Sequence, residues 1–404
     1  PLDFIPRLIR QSEWQQVEKG LKQRVKALNM FIEDCYNKQN FLNESDIDKS
    51  LVLDSPAYKK YCVDLKLKHN TWSHICGSDL IKAQDGKFYV LEDNLRVPSG
   101  VSYMLENRMI MKRVFPELFY QYGVTPIDAY PTKLYETLAS VSNSRAKHPE
   151  IVLLTPGMFN SAYYEHSFLA QQMGIDLVEG RDLIIGKEGF VYKKTIEGLV
   201  KVDVIYRRID DDYLDPDQGN PKSAIGVKGL IKAWQQKKVT IVNSPGCGIA
   251  DDKAVYAFVP KMIKYFLNEE PIIRNIKTFL LTNKEHRDHV FNNFKDMVIK
   301  PVAESGGYGI VIGKNCTRSE KDSTIRKIMN NPRNFVAQPL ISLSTTPTYS
   351  GESLEPRHLD LRPFILSGEK QYVTVGGLTR VALKKGSTVV NSSQGGGSKD
   401  TWIV

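Results

Sequence analysis

The 404-residue sequence contains no apolar run that could cross a bilayer. Its apolar runs, such as Ile151 to Leu154, fall far short of the roughly 20 residues a spanning helix requires. The amino-terminal residues carry no signal-like apolar segment. Cysteine is scarce: five residues, at 35, 62, 76, 247 and 316, an odd number without a Cys-x-x-Cys pair. That argues against both a disulfide framework and a structural zinc site, and makes a reducing cytoplasm the expected compartment. No Gly-x-Ser-x-Gly elbow is present, and Cys247, in Pro-Gly-Cys-Gly, has no adjacent base. His166, His286 and His289 lack a convincing third ligand and read as surface or core histidines. The net charge of +9 comes from basic residues spread along the chain, without the long block of a nucleic-acid-binding face. Neither nucleic acid nor membrane is expected as a partner, and no oligomeric state is indicated.

What is present is ordinary globular material, 41% hydrophobic and 25% charged, long enough for two or three packed domains. Trp14, Val17, Leu21, Val25, Leu28, Ile32 and Cys35 recur at helical spacing, behind a capping-box spacing of Ser12 and Gln15. Trp72 to Asn94 reads as strand, turn and strand, followed by a helix from Val101 to Phe115. Between about 150 and 250 strands and helices alternate, which predicts a small α/β unit with parallel strands. Asp251 to Leu267 reads as helix, and the residues after Met297 as strands rich in glycine. The predicted units are therefore 1–150, 151–250 and 251–404. The chain stops at Val404 inside a strand-like run, so a fragment of a longer protein is expected.

Three segments carry candidate chemistry. In Val298-Ile-Lys300-Pro-Val-Ala-Glu304-Ser305-Gly306-Gly307-Tyr-Gly309 a strand bearing a lysine enters a glycine-rich turn. Backbone N–H groups of such a turn can approach phosphate oxygens, although a glycine-rich hairpin without ligand has the same pattern. It is neither a Walker loop nor a Rossmann fingerprint. Phe335 to Leu340 follows as a strand whose end, at Gln338 and Leu340, could meet an adenine edge. Arg362 and Arg380 each lie in an apolar strand-like run, and a buried arginine needs an anionic partner, either a carboxylate such as Asp360 or a bound substrate.

The hairpin from His74 to Arg96 is the most informative. If Asp85-Gly86 is a two-residue turn, cross-strand partners have a constant sum of residue numbers, and Asp79 and Glu92 satisfy it. The two carboxylates then share a face with Asn94, while Asp93 points away. Opposed carboxylates need a proton or a cation between them, and two of them with an amide oxygen suit Mg²⁺. An exposed acidic hairpin is the alternative.

These segments resemble the circularly permuted ATP-grasp family, which includes glutathionylspermidine synthase-like proteins. The matching blocks are Gly77-Ser-Asp79, Glu92-Asp-Asn94 to Tyr103, Asn243-Ser-Pro-Gly246, Asp251-Asp-Lys253-Ala254, Lys300-Pro to Gly309 and Asn391 to Trp402. The metal-like hairpin precedes the glycine loop, which is the mark of the permutation. The resemblance implies a mixed α/β and α+β ATP-grasp fold with an additional small α/β unit of pre-ATP-grasp type. It implies ATP and Mg²⁺ as cofactors and an acyl-phosphate route joining a small-molecule or peptide carboxylate to an amine. Lys253 and Lys300 match the nucleotide lysines, Asp79, Glu92 and Asn94 the metal ligands, and Ser99 a contact to the acyl substrate. The synthases carry an arginine two residues before the metal aspartate, where this chain has Gly77, leaving Arg96, Arg362 or Arg380 to take that role. Alternatives are an ATP-binding regulatory or scaffold protein without turnover and, on charge alone, a nucleic-acid-binding protein.

Overall fold

The computed structural model describes residues 1–302, 309–387, 390 and 395–404; Glu304, Ser305, Gly306 and Gly307 of the expected phosphate loop lie outside the described residues, as do Asn391 to Gln394. Strand β1 (Leu2–Ile9) leads into a 26-residue helix, Gln11–Tyr36. The expected helix is there, with Trp14, Val17, Leu21, Val25, Leu28, Ile32 and Cys35 buried, but Ser12 lies inside it and Arg10 is the N-cap. Its start is fixed by tertiary structure, because the Gln11 N–H donates to the Val404 carbonyl at 2.7 Å.

The hairpin strands are β2 (Ile75–Lys82) and β3 (Phe88–Asn94), followed by the helix Val101–Val114. The α/β unit contains β4 (Ile151–Leu154), the helix Tyr163–Met173 and β5 (Asp176–Val178). The sequence reading missed its antiparallel insert of β6 (Leu183–Ile185), β7 (Val191–Thr195) and β8 (Gly198–Val202). Strands β9 (Val204–Arg207) and β10 (Thr240–Val242) complete the unit, and β10-β9-β4-β5 pair in parallel throughout, as the alternation predicts. The predicted helix from 251 to 267 is two helices, Lys253–Tyr256 and Val259–Leu267, the second carrying a proline in its first turn.

Beyond them come β11 (Arg274–Asn275), β12 (Phe279–Leu280), β13 (Met297–Pro301), β14 (Val311–Ile312) and β15 (Phe335–Pro339). Strands β12, β15, β13 and β14 form a four-stranded antiparallel sheet with its own core, including Phe279, Phe294, Ile299 and Ile328. The chain then returns as β16 (Thr345–Tyr349), β17 (Leu354–Arg362), β18 (Phe364–Ser367), β19 (Gln371–Val373), β20 (Leu378–Val381) and β21 (Gly397–Ile403). These strands join β1, β2, β3 and β11 in a ten-stranded mixed sheet ordered β1-β21-β20-β17-β2-β18-β19 along its main path. The early hairpin is thus set among the last strands of the chain, with β17 and β18 both bonded to β2. Apolar side chains of β4 and β9 share one core with Tyr130, Leu134, Phe364 and Leu366, which seats the α/β unit against the large sheet.

Candidate active site

Asp79 pairs with Glu92, as the residue numbers require, but two departures combine to give that pairing. The Ala83 N–H donates to the Lys87 carbonyl and the Gly86 N–H to the Ala83 carbonyl, each at 3.0 Å. The turn is therefore the three residues Gln84, Asp85 and Gly86, with Gly86 at φ +77°. Leu80 faces Val90 while Asp79 faces Glu92, so Leu91 is an extra residue on β3. This bulge cancels the longer turn and restores the expected register from Asp79 outward.

Asp79 is buried and holds two guanidiniums. Arg362 binds it through Nε at 2.5 Å and a terminal nitrogen at 2.7 Å, and Arg380 approaches the same carboxylate at 2.7 Å. Arg380 also grips Asp360, its cross-strand partner on β17. Burial alone would raise the Asp79 pKa, yet the two arginines hold it well below the usual carboxylate range. Asp93 lies on the other face, bound by Arg24 of the first helix and by the Ser78 hydroxyl.

Glu92 has a different environment. Its Oε2 lies 3.9 Å from the Lys253 ammonium, and burial followed by the Asp79 charge pushes its pKa up, partly offset by Lys253 and Lys300. Lys253 opens a short helix whose N-cap, Asp252, accepts from the Ala254 N–H. Lys300, on β13 opposite Val336, is buried, and burial pushes its pKa down to about 8 despite Glu92. The structure thus brings Glu92, Lys253 and Lys300 within electrostatic reach of one another. Gly309 takes φ +69°, and a Cβ there would lie 2.9 Å from Pro301. Gln338 sits on β15 with its amide donating to Thr278, and the Leu340 N–H donates to the Asp296 carbonyl.

Glu92, Asn94, Arg96 and Lys253 line a cleft of about 510 Å³ whose other walls include Asp210, Asp251 and Arg333. Arg96 is tied to Asp251 at 2.6 Å and to Asp210 at 3.2 Å. Arg362 and Arg380 gather instead at Asp79. Ser99 accepts from Arg208 through its hydroxyl and from Arg362 through its carbonyl. Among the described residues no cluster of three His, Cys, Asp or Glu side chains is arranged for a metal. Of the three metal ligands expected from the sequence, Glu92 and Asn94 line the cleft, whereas both oxygens of Asp79 already hold arginine.

Sequence reasoning missed Arg208, Glu165 and the role of Asn243. The Asn243 side chain accepts from the His74 and Ile75 N–H groups and donates to the Ile75, Leu95 and Arg96 carbonyls, tying the α/β unit to the start of β2 and to the residues just after β3. An arginine pair ending the apolar run from Val204 to Tyr206 was the available signal for Arg208. His166 is buried against Thr155, and His286 accepts from the Leu280 N–H, so neither histidine is set up as a metal ligand.

Residues 6–382 match the family described as circularly permuted ATP-grasp type 2. The chain belongs to this family. An uncharacterised protein of Synechocystis sp. is 49% identical over 405 residues, covering 100% of this chain and 84% of that relative. A Mycobacterium tuberculosis relative is 46% identical over 405 residues, covering 100% of the chain and 73% of the relative. A Frankia casuarinae protein named provisionally as a glutamate–cysteine ligase is 38% identical over 412 residues, and the chain spans 47% of its length. In fold alone, this permuted ATP-grasp chain is similar to a glutathione synthetase-like effector from Globodera pallida, with TM-score 0.60, 13% identity and coverage of 100% of this chain and 90% of that one. Among the described residues no helix is long and apolar enough to cross a membrane.

Proposed function

We propose that this chain is an ATP- and Mg²⁺-dependent ligase that joins a carboxylate to an amine through an acyl-phosphate. The observation that carries the reading is that Glu92 and Lys253 line one cleft 3.9 Å apart, with Lys300, from a third segment, within electrostatic reach of both. Lys300 and Lys253 bind and neutralise phosphate oxygens, and the backbone of β15 near Gln338 and Leu340 meets the adenine edge. Glu92 and Asn94 would hold Mg²⁺, with Asp79 joining them only if Arg362 withdrew. Such an ion would supply charge neutralisation to the transferring phosphoryl group. Arg362 then stands free to meet the acid substrate, beside Ser99, and Arg96 orients groups in the cleft. Such catalysis rests on positioning and charge neutralisation, so it needs no Ser, Cys or His nucleophile.

The test is an ADP-release screen of carboxylate and amine pairs with mass spectrometry of any product. Glutamate and cysteine enter it first, because the Frankia relative is named for that pair. A second reading, an ATP-binding regulatory protein without turnover, is favoured by one observation: arginines occupy both oxygens of Asp79. Nucleotide binding without product from any pair under saturating ATP supports that reading over the first.

A further inference from the structure

The parallel sheet of the α/β unit reverses its order at one place. From β4 the chain moves to β5 on one side, then returns to lay β9 on the other. In open parallel sheets, the crevice beyond the carboxyl ends of the strands at such a reversal is the usual seat of a ligand. Here the residues that flank it hold a piece of this chain. Glu165, on the helix after β4, accepts from the Gly100 and Ser102 N–H groups at 2.7 and 3.1 Å and from the Ser102 hydroxyl at 3.0 Å. It caps the helix Val101–Val114 from another unit, where the N-cap residue, Gly100, has no side chain to do so. Arg208, the residue after β9, donates to the Pro98 carbonyl at 2.8 Å, the Ser99 hydroxyl at 2.5 Å and Glu165 at 3.1 Å.

Both side chains of that ion pair are 1% exposed, so neither can exchange its partners for water. An ion pair serving stability alone could sit anywhere in the interface. This one converges on a single turn whose opposite side meets Arg362: the Ser99 carbonyl accepts from Arg362 at 3.1 Å while the other nitrogens of Arg362 hold Asp79. Ser99 is the link between the two arginines.

We propose that Glu165 and Arg208 are positioning residues: the α/β unit clamps the Pro98–Ser102 turn in its switch-point crevice and, through Ser99, sets Arg362 against Asp79. The α/β unit thereby acts on the candidate active site without touching substrate. The inference rests on the ligase reading only for the second of its two readouts.

The first readout is the Nε–H spectrum of the ¹⁵N-labelled full chain, with the Arg362 signal assigned from its loss in Arg362→Lys. In Ser99→Ala, which removes one hydroxyl, and in Arg208→Lys, which keeps the charge but loses the fork, the Arg362 Nε–H should exchange about tenfold faster. The signals of Arg24 and Arg108, bound to Asp93 and Asp400, should not change. An unchanged Arg362 exchange rate in both variants overturns the proposal; if Arg208→Lys does not fold, Ser99→Ala decides. The second readout is calorimetry with ATP. Both variants, by loosening Arg362 from Asp79, should change the affinity gained on adding Mg²⁺ several-fold and keep the metal-free affinity, whereas an unchanged gain overturns the link to the site. Wild-type chain that binds no ATP refutes the ligase reading, and the Arg362 signal still decides the clamp.

Discussion

Asp79 and Glu92 stand opposite each other on β2 and β3, and each meets cations of a different kind. Asp79 is gripped by two guanidiniums at hydrogen-bond distance, whereas the nearest ammonium to Glu92 is 3.9 Å away. The pair is thus divided into a satisfied carboxylate and one with capacity for a further cation. Burial and Asp79 raise the Glu92 pKa, so the folded state holds more protons than the unfolded above the ordinary glutamate range. That favourable difference is present at low pH and is lost as pH rises through the raised value. Glu92→Gln should therefore leave stability at neutral pH unchanged or raise it by up to about 1 kcal/mol, while abolishing the Mg²⁺-dependent part of ATP affinity. Urea unfolding and calorimetry check the two halves, and a clear loss of stability contradicts the first.

Asp79 carries the opposite expectation. Asp79 and Asp360 balance Arg362 and Arg380, and all four are largely buried. Asp79→Asn leaves one positive charge in excess with little water to screen it. The expected cost is about 3–5 kcal/mol by urea unfolding. The double variant with Arg362→Met should cost less than the sum of the singles, since it removes the excess charge. Strict additivity would mean that the two side chains do not act as a pair.

Lys300 offers a proton-linked measure of phosphate binding. With its pKa lowered to about 8 by burial, the empty site is partly deprotonated near that pH. An arriving phosphate favours the ammonium, so binding at pH 8 should take up roughly half a proton, and ATP affinity should fall as pH rises further. Calorimetry in buffers of different ionisation enthalpy reads that uptake directly. Lys300→Ala should remove the uptake and weaken binding; uptake that persists in the variant places the titrating group elsewhere.

The hairpin was legible because strand pairing follows an integer rule, yet the rule succeeded through two cancelling departures, a turn of Gln84 to Gly86 and an extra Leu91. Neither departure leaves a compositional mark, since Asp85-Gly86 suits both turn lengths. The parallel strands of the α/β unit were legible as buried apolar runs. The insert of β6 to β8 was not: Val191 to Val202 alternates with lysines and lies largely at the surface, where pattern is weak. Arg362 was visible as an arginine in an apolar run, but its partner Asp79 is 283 residues away, and spacing says nothing about such distances. Arg208 and Glu165 escaped for the same reason, since their partners are the main chain of a turn about 110 and 65 residues away. The helix start at Gln11 depends on the carbonyl of Val404, at the other end of the chain, so a local capping rule misplaced it.

The last prediction concerns acid stability. His166 is buried, its Nδ1 lies 2.9 Å from the Thr155 hydroxyl, and burial followed by the Arg208 charge lowers its pKa to about 3. The unfolded chain takes up this proton near the ordinary imidazole value of 6.5, and the folded protein does not. Between those values the unfolded state binds more protons, so the stabilising contribution is fully present above 6.5 and is lost as pH falls toward 3. His74, lowered to about 3 by burial, acts in the same direction. His166→Gln keeps a polar partner for Thr155 and removes one of the two titrations. The stability of the variant should then fall less steeply between pH 6 and 4, by about 1.4 kcal/mol per pH unit relative to the parent. Urea unfolding across that range supplies both slopes. Parallel slopes would mean that His166 binds its proton in the folded state, which the adjacent Arg208 and the loss of solvent both oppose.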